Sequence, residues 1–170
     1  MHLFLKTPLS EADVRKLRAG DVVFLSGAVF TARDQATKRL IAKPNAIPRN
    51  SVVYHCGPLA KKKGKRWLLV SAGPTTSSRM NSMMPALIKK CGVRAIIGKG
   101  GVDARVIKAM RGKCVYLAAV GGAGALYAKQ LKVESVRWLD LGEPEALWQL
   151  EARGFGPLVV AIDSQGKSLY

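Results

Sequence analysis

Short apolar segments alternate with helix-forming segments through the second half of this 170-residue chain. The apolar runs predict strands at residues 67–71, 93–97, 114–120, 135–139 and 158–162, and the segments between them predict helices at 85–91, 104–110, 125–131 and 144–153. A helix between two neighbouring strands is the usual connection of a parallel pair. The pattern therefore predicts an α/β fold with a mixed sheet and βαβ units in the C-terminal half.

The first half of the chain mixes shorter elements. We predict a helix at 11–18 with Ser10 as its N-cap and Gly20 at C′, two short strands at 22–25 and 28–31, and a helix at 34–42. Residues 52–56 and 67–71 predict the two strands of a long hairpin with a solvated tip. No repeat divides the chain, and its length suffices for a core without disulfides, so one domain over residues 1–170 is expected.

The chain carries a formal net charge of +17, from 28 Lys and Arg against 11 Asp and Glu. A field of this sign attracts nucleic acid, an acidic protein subunit or small anions. The basic run at 61–66 favours the first of these, a nucleic-acid-binding module. Aromatic residues make up 6% of the chain and do not interleave with this run, so a base-stacking platform is not apparent. A solvated hairpin tip, or a docking surface for an acidic subunit, explains the run at least as well.

Cysteine usage and hydropathy bound the cellular setting. Cys56, Cys91 and Cys114 match neither a zinc knuckle nor a C-x-x-C motif and predict small buried thiols in a reducing compartment. No metal site is predicted on this chain. Residues 1–9 lack the features of a signal peptide, and no segment approaches the roughly 20 apolar residues of a membrane span. These observations predict cytoplasmic localisation and no membrane contact.

The loop at 71–80, Ser-Ala-Gly-Pro-Thr-Thr-Ser-Ser-Arg-Met, is the first candidate for a binding site. It continues from a predicted strand and presents four consecutive hydroxyls at 75–78, followed by the guanidinium of Arg79. Hydroxyls can donate to a carboxylate, and a guanidinium can bind both carboxylate oxygens at once. The alternative is a polar loop in which Thr75 and Ser77 cap the backbone while Arg79 faces solvent. Residue chemistry alone does not separate the two interpretations.

Two further basic residues stand at predicted strand ends. Lys99 lies in a Gly-Lys-Gly-Gly segment one βα unit after Arg79, and consecutive strand ends of a parallel sheet are neighbours. We therefore predict that both cations converge on one anion, whereas the Lys99 loop taken alone is more typical of a glycine turn with a solvated lysine. Arg33 begins a predicted helix, where Asp34 can pair with Lys38 and leave Arg33 free.

Other signals carry less information. The glycine-rich segment at 121–126 follows a predicted strand, but it has no third glycine at the spacing that a dinucleotide-binding fingerprint requires. It predicts a tight turn instead. His2 and His55 have no carboxylate or nucleophile at motif spacing, and we assign both to structure or surface.

Several short motifs are distributed in order along nearly the whole chain. They are Gly-Asp-Val-Val at 20–23, Thr-Ala-Arg-Asp at 31–34, Gly-Pro-Thr-Thr-Ser-Ser-Arg-Met at 73–80, Ile-Gly-Lys-Gly-Gly at 97–101, Gly-Gly-Ala at 121–123, Trp-Leu-Asp-Leu-Gly at 138–142 and the ending at 162–170. This series resembles the β subunit of the class I, iron–sulfur-dependent fumarate hydratases and L-tartrate dehydratases.

The resemblance implies a swivelling β/β/α domain that meets a separate α subunit, whose cysteines carry a [4Fe–4S] cluster not ligated by this chain. Family residues matching Arg33, Arg79 and Lys99 bind substrate carboxylates, and the residue matching Thr75 lies near the carbon that loses its proton. The implied reaction is reversible dehydration of a four-carbon 2-hydroxy dicarboxylate, with the cluster iron as Lewis acid. Malate to fumarate is favoured, and tartrate to oxaloacetate comes second. A threonine hydroxyl is a poor base, so a relay to a partner-subunit carboxylate is expected.

One position departs from the family pattern, because many relatives carry histidine where this chain has Thr37. The resemblance also allows a homo-oligomer of the paired subunits. An orphan subunit that keeps the fold without a catalytic partner is the alternative, since every implied cluster ligand lies outside this chain.

Overall fold

A seven-stranded mixed sheet organises the chain in the computed structural model, which describes residues 1–170. The strands are β1 (His2–Lys6), β2 (Val22–Thr31), β3 (Val52–Tyr54), β4 (Leu59–Lys63), β5 (Arg66–Ser71), β6 (Ala95–Gly98), β7 (Val115–Ala118), β8 (Leu131–Arg137) and β9 (Leu147–Ile162). The helices are α1 (Glu11–Lys16), α2 (Asp34–Ala42), α3 (Met84–Cys91), α4 (Ala104–Met110) and α5 (Gly124–Ala128). Short 3-10 turns lie at Pro44–Ala46, Ser77–Met80, Leu139–Leu141 and Glu143–Glu145.

The strand order in the large sheet is β1-β2-β3-β6-β7-β9-β8, and β2 pairs additionally with β9. Strands β1, β2, β3, β6 and β7 run parallel, whereas β9 is antiparallel to β2, β7 and β8. The β2–β9 pairing closes five of the strands into a ring. The fold is therefore mixed α/β, and its parallel strands end at a common edge.

Each face of this sheet buries its own apolar cluster. The larger cluster joins the inward residues of the ring, such as Leu25, Ile97 and Phe155, to α1 and α5. The second lies where α2, α3 and α4 cover the opposite face, with Leu40 and Leu87 among its members. Strands buried on both faces read as continuous apolar runs, which is why β3, β6 and β7 stand out in the sequence.

Several local predictions are confirmed by cap chemistry. Helices α2 and α4 have the predicted bounds, and the Asp103 carboxylate accepts hydrogen bonds from the amides of Arg105 and Val106 at the start of α4. Ser10 forms a reciprocal capping box with Asp13 at α1. Gly92 ends α3 in the left-handed conformation at φ 65°. Helix α1 stops at Lys16 with Leu17 as its cap, so the prediction of an end near Gly20 was wrong.

The helix predicted at 144–153 was wrong, because Leu147–Ile162 forms the single 16-residue strand β9. From Trp148 to Ala152 the side chains alternate between full and partial burial, which is the period of a strand. Two neighbours, β2 and β8, supply hydrogen-bonding partners on both sides of this segment. Tertiary pairing therefore overrides the helix propensity of the Glu- and Ala-rich sequence. The strand predicted at 158–162 is the end of the same element.

The predicted hairpin between 52–56 and 67–71 was also wrong. Strand β5 pairs antiparallel with β4 in a separate two-stranded sheet, whose tip includes Gly64 at φ 62°. Strand β3 instead pairs with β2 and β6 inside the large sheet. The two strands predicted at 22–25 and 28–31 are one strand, β2, with register shifts between Val23 and Gly27. No helix of the fold is long and apolar enough to cross a bilayer.

We expect Gly27→Ala to destabilise the fold by several kcal/mol. A Cβ at Gly27 would lie 2.4 Å from Oγ1 and 2.9 Å from the carbonyl oxygen of Thr7, at a φ of 109°. Gly20 has a similar φ of 99° with no atom within 4 Å of its Cβ position, so Gly20→Ala costs only the left-handed backbone penalty of about 1–2 kcal/mol. Urea unfolding of both variants separates the steric contribution from the backbone penalty. Equal losses of unfolding free energy in Gly27→Ala and Gly20→Ala would contradict the steric clash with Thr7.

Candidate substrate-binding edge

The four residues predicted to form the site lie at the edge where the parallel strands end. Arg33 follows β2 and occupies the N-cap position of α2, and Lys99 directly follows β6. Thr75 and Arg79 belong to the segment between β5 and α3. This edge is where ligands bind in open α/β sheets, since the loops there carry side chains that the sheet holds at fixed positions.

Main-chain hydrogen bonds attach the Thr75 segment to two strand ends. The Thr75 amide donates to the carbonyl of His55 at 2.7 Å, and the Lys99 amide donates to the carbonyl of Thr75 at 3.3 Å. The Ser77 amide in turn donates to the carbonyl of Lys99 at 3.1 Å. Thr75 and Lys99 are therefore direct neighbours in the fold.

The loop that carries Arg79 and the segment of Lys99 thus come together by a different route from the predicted one. Strand β5 is not in the large sheet, so its end is not adjacent to β6 as a strand neighbour. The loop itself forms the contact, because residue Thr76 pairs in parallel with Lys99 as an isolated bridge.

An ion pair connects Arg79 to the start of α2. Its Nη2 donates to Oδ2 of Asp34 at 3.0 Å, so Asp34 pairs across the fold and not with Lys38 as the sequence suggested. Asp34 follows Arg33 in the chain, and this contact brings the two arginine-bearing segments together. The Arg79 side chain remains half-exposed, and four of its five N–H groups stay available to a ligand.

Arg33 is held more deeply than Arg79. Its Nε lies 3.3 Å from Oε1 of Glu145, and its stem crosses Gly57, where a Cβ would lie 2.8 Å from Cδ and Nη1 of Arg33. Oε2 of the same glutamate accepts from the Gln35 amide at 3.1 Å, which fixes Glu145 at the N-terminus of α2. The buried Nε has no well-aligned hydrogen-bond partner, so the guanidinium keeps unused donor capacity.

Lys99 is exposed and forms no ion pair within the chain. A Cβ at Gly121 would lie 3.8 Å from its Cδ, so the glycine-rich turn after β7 borders the lysine stem. That turn leads into α5, which is five residues long. The segment thus forms a tight connection beside Lys99.

Beneath the edge lies a buried polar cluster of His55, Ser77 and Tyr116. His55 Nδ1 is 2.7 Å from Ser77 Oγ, and Ser77 Oγ is 3.0 Å from the Tyr116 hydroxyl, which also contacts the Gly100 carbonyl at 2.9 Å. The Ser77 hydroxyl therefore bonds two buried side chains and does not cap the backbone. Burial lowers the pKa of His55 to about 3, so the ring is neutral at physiological pH.

Sequence reasoning assigned no site role to Ser77, Tyr116, Asp34 or Glu145, and it left His55 between structure and surface. His55 is a buried structural residue. An apolar strand context predicts burial, yet no local signal indicates which partners three separate segments will supply. Thr37 is also buried, one helical turn after Arg33, and its Oγ1 has no hydrogen-bond partner.

The residues of this chain do not fit an iron–sulfur cluster. All three cysteines are free and buried, as predicted, and they lie in two apolar clusters on opposite faces of the sheet. Burial raises the pKa of Cys114 to about 12 and raises the pKa values of Cys56 and Cys91, which disfavours the thiolate that binds iron. No group of three His, Cys, Asp or Glu side chains is arranged to hold a metal ion.

The chain is an α/β domain with three cationic side chains and a threonine along one sheet edge. Comparison with known proteins gives a match to the family model described as the fumarase C-terminus, over residues 1–170. On this match the chain belongs to the fumarase C-terminus family, which confirms the resemblance seen in its motifs.

Relatives in this family carry the names of two kinds of enzyme. A Methanocaldococcus jannaschii protein provisionally named L(+)-tartrate dehydratase subunit beta is 47% identical, over 95% of this chain and 88% of the relative. The L(+)-tartrate dehydratase subunit beta of Escherichia coli is 37% identical, over 99% and 87%. A Geobacillus stearothermophilus protein provisionally named class I fumarate hydratase is 39% identical over 98% of this chain, which spans only 33% of that relative.

Acid should destabilise the fold through His55. The folded-state pKa of about 3 lies below the ordinary value of 6.5, so between these values the unfolded chain binds a proton that the folded chain does not. The contribution of neutral His55 is present above pH 6.5 and is lost as pH falls toward 3, by up to about 1.4 kcal/mol per pH unit. Urea unfolding between pH 7 and 4.5 should show this slope in the native chain and in a His2→Gln control. The slope should be shallower in His55→Gln, and an unchanged slope would contradict the assignment.

Proposed function

We propose that this chain is the substrate-binding β subunit of a heteromeric hydro-lyase that reversibly dehydrates a four-carbon 2-hydroxy dicarboxylate. The observation that carries the proposal is the sheet edge where Arg33, Arg79 and Lys99 accompany Thr75. Family membership and the enzyme names of the relatives support the reaction class.

The cationic edge is suited to a dianion. A guanidinium binds a carboxylate through two parallel hydrogen bonds, and both arginines retain donors beyond those used by Asp34 and Glu145. Lys99 adds a third positive charge without an internal partner. The two acidic neighbours hold the guanidinium groups in place before the ligand arrives, which reduces the ordering cost of binding.

In the proposed reaction, a proton leaves the carbon next to the one that carries the hydroxyl. The hydroxyl leaves with one added proton, so the net loss is one water. Negative charge develops on the substrate as the proton departs, so the three cations stabilise the transition state as well as the bound diacid. Thr75 is proposed to lie against the carbon that loses its proton. Its hydroxyl is too weak a base to retain that proton, so we propose that it relays the proton to a carboxylate on the partner subunit.

We propose that an α subunit completes the site. Thr75, Arg79 and Lys99 stand on the surface side of the fold, and neither of the two surface pockets of the chain includes them. A second protein surface over the edge would exclude water and strengthen the charge interactions. The iron–sulfur cluster of the family is proposed to reside on that subunit, since the cysteines here do not fit it. A homo-oligomer of paired subunits and cytoplasmic localisation stay predictions.

The substrate is proposed to be malate or L(+)-tartrate. Both are four-carbon 2-hydroxy diacids and present the same carboxylate pair to the arginines. Malate to fumarate was the first expectation from the sequence, and the names of the relatives from M. jannaschii and E. coli give tartrate equal weight.

Anaerobic co-expression with the candidate α subunit, followed by assays of malate–fumarate interconversion and tartrate dehydration, tests this proposal. We expect activity in the purified complex and none in either chain alone, and the faster reaction names the substrate. A complex that forms but turns over neither diacid contradicts the proposed function. Failure to associate favours the orphan subunit. A chain that binds nucleic acid with a steep salt dependence favours the alternative of a nucleic-acid-binding module.

Arg79→Ala should reduce kcat/KM of the complex by about 10- to 100-fold, the effect of losing a charge-assisted hydrogen bond of about 1.5–3 kcal/mol. The free energy of unfolding should change by less than about 1 kcal/mol, because the Asp34–Arg79 ion pair is partly exposed to solvent. Arg15→Ala is the matched control, since Arg15 is also an exposed arginine in an ion pair, with Glu11 on α1. Wild-type turnover in Arg79→Ala would remove Arg79 from the site.

A further inference from the structure

The buried cluster of His55, Ser77 and Tyr116 joins three separate parts of the chain. His55 follows β3, Ser77 begins the 3-10 turn that carries Arg79, and Tyr116 lies in β7. All three side chains are fully buried, and three consecutive contacts of 2.7, 3.0 and 2.9 Å lead from His55 to the carbonyl of Gly100. This cluster is a continuous hydrogen-bonded chain beneath the cationic edge.

The direction of each hydrogen bond follows from counting protons. The Gly100 carbonyl can only accept, so the single proton of the Tyr116 hydroxyl points to it. The contact between Tyr116 and Ser77 must then use the proton of Ser77, with the tyrosine oxygen as acceptor. The Ser77 oxygen is consequently left to accept from Nδ1–H of His55. Every donor in the chain points from His55 toward Gly100.

This order fixes the tautomer of His55. A neutral imidazole carries one proton, so a proton on Nδ1 leaves Nε2 with a lone pair. Nε2 is buried and has no hydrogen-bond partner in the chain, so no competing contact selects the other tautomer. Burial keeps the pKa of the ring near 3, and the arrangement persists across the physiological range.

The hydrogen-bonded chain from His55 to Gly100 also connects the segments that carry the candidate site residues. The His55 carbonyl accepts from the Thr75 amide, and the His55 amide donates to the carbonyl of Ile97, both at 2.7 Å. Its ring reaches Ser77, two residues from Thr75 and from Arg79. The far end of the chain reaches Gly100, next to Lys99. His55 is thus linked in two ways to the Thr75–Arg79 segment and to the segment of Ile97–Gly100. Its backbone bonds to both directly, and its ring reaches them by way of Ser77 and Tyr116.

Gly98 makes room for this arrangement. A Cβ at Gly98 would lie 1.9 Å from Ser77 Oγ, 3.2 Å from the Tyr116 hydroxyl and 3.3 Å from His55 Nδ1. All three polar atoms therefore converge on one point of β6, in a space that only glycine leaves open.

We infer that His55, Ser77 and Tyr116 are positioning residues. They hold the Thr75–Arg79 segment and Lys99 in fixed relative positions. They do so through hydrogen bonds whose donors all point from His55 Nδ1 toward the Gly100 carbonyl. Their effect on turnover rests on the proposed function, because they act through residues assigned to diacid binding. Their hydrogen-bond order and their effect on the backbone do not depend on any activity.

The tautomer is measured first, by ¹⁵N NMR of the full chain. The chain has two histidines, so a His2→Gln variant leaves one imidazole to assign. We expect a protonated Nδ1 and an unprotonated Nε2 in the native chain, and a change of this pattern in Ser77→Ala. A proton on Nε2 in the native chain would overturn the inferred order.

Positioning is measured next, by amide hydrogen exchange at Thr75 and Lys99. Loss of the Ser77 hydroxyl should speed exchange at both amides by about tenfold, the equivalent of one buried hydrogen bond. Ser51→Ala is the matched control, because Ser51 is also buried and its hydroxyl bonds the Pro48 carbonyl at the other end of β3. Equal exchange in the two variants would overturn the positioning role.

The complex provides the functional test. Ser77→Ala and Tyr116→Phe should lower kcat/KM by about tenfold or more relative to Ser51→Ala at comparable stability. Unchanged kcat/KM in an active complex overturns the positioning inference and leaves the proposed function intact. An inactive native complex removes the proposed function, while the tautomer and exchange results still decide the inference.

Discussion

Three main-chain hydrogen bonds between the loop at 74–77 and two strand ends set the geometry of the candidate site. They join Thr75 to His55 and Lys99, and Ser77 to Lys99. These bonds hold the loop against the large sheet, although β5 itself pairs only with β4. Because main-chain bonds fix position but not side-chain chemistry, the same frame can hold different side chains at Thr75, Arg79 and Lys99.

The polar groups beneath that frame follow from the cost of burial. A loop that enters a sheet edge brings polar groups out of water, and each needs a partner to avoid a penalty of about 1–3 kcal/mol. The chain from His55 to Gly100 satisfies Ser77 and Tyr116 completely and leaves only Nε2 of His55 unpaired. The three consecutive hydrogen bonds restrain the segment that presents a threonine and an arginine to a ligand.

Positive charge is held differently at the candidate edge and on the β4–β5 hairpin. At the candidate edge, Asp34 and Glu145 each hold one arginine, so the positive charge is oriented as well as concentrated. On the β4–β5 hairpin the lysines are exposed, and Lys62 lies over the ring of Trp67 at 5.8 Å. The hairpin charge is therefore exposed to screening by salt, whereas Asp34 and Glu145 orient the two arginines of the edge.

The sequence by itself determined the elements whose signals are local. Local sequence patterns predicted α2 and α4 with their bounds. The motifs after the predicted strands placed Thr75, Arg79 and Lys99 in loops and Arg33 at the start of α2. Tertiary structure alone decided that the segment at 147–153, predicted as helix, is a strand, that β5 leaves the large sheet, and that Asp34 pairs with Arg79. It also decided that Ser77 bonds to His55 and Tyr116. Helix caps depend on residues three or four positions apart, but strand pairing and buried polar contacts depend on partners dozens of residues away, which a local pattern does not contain.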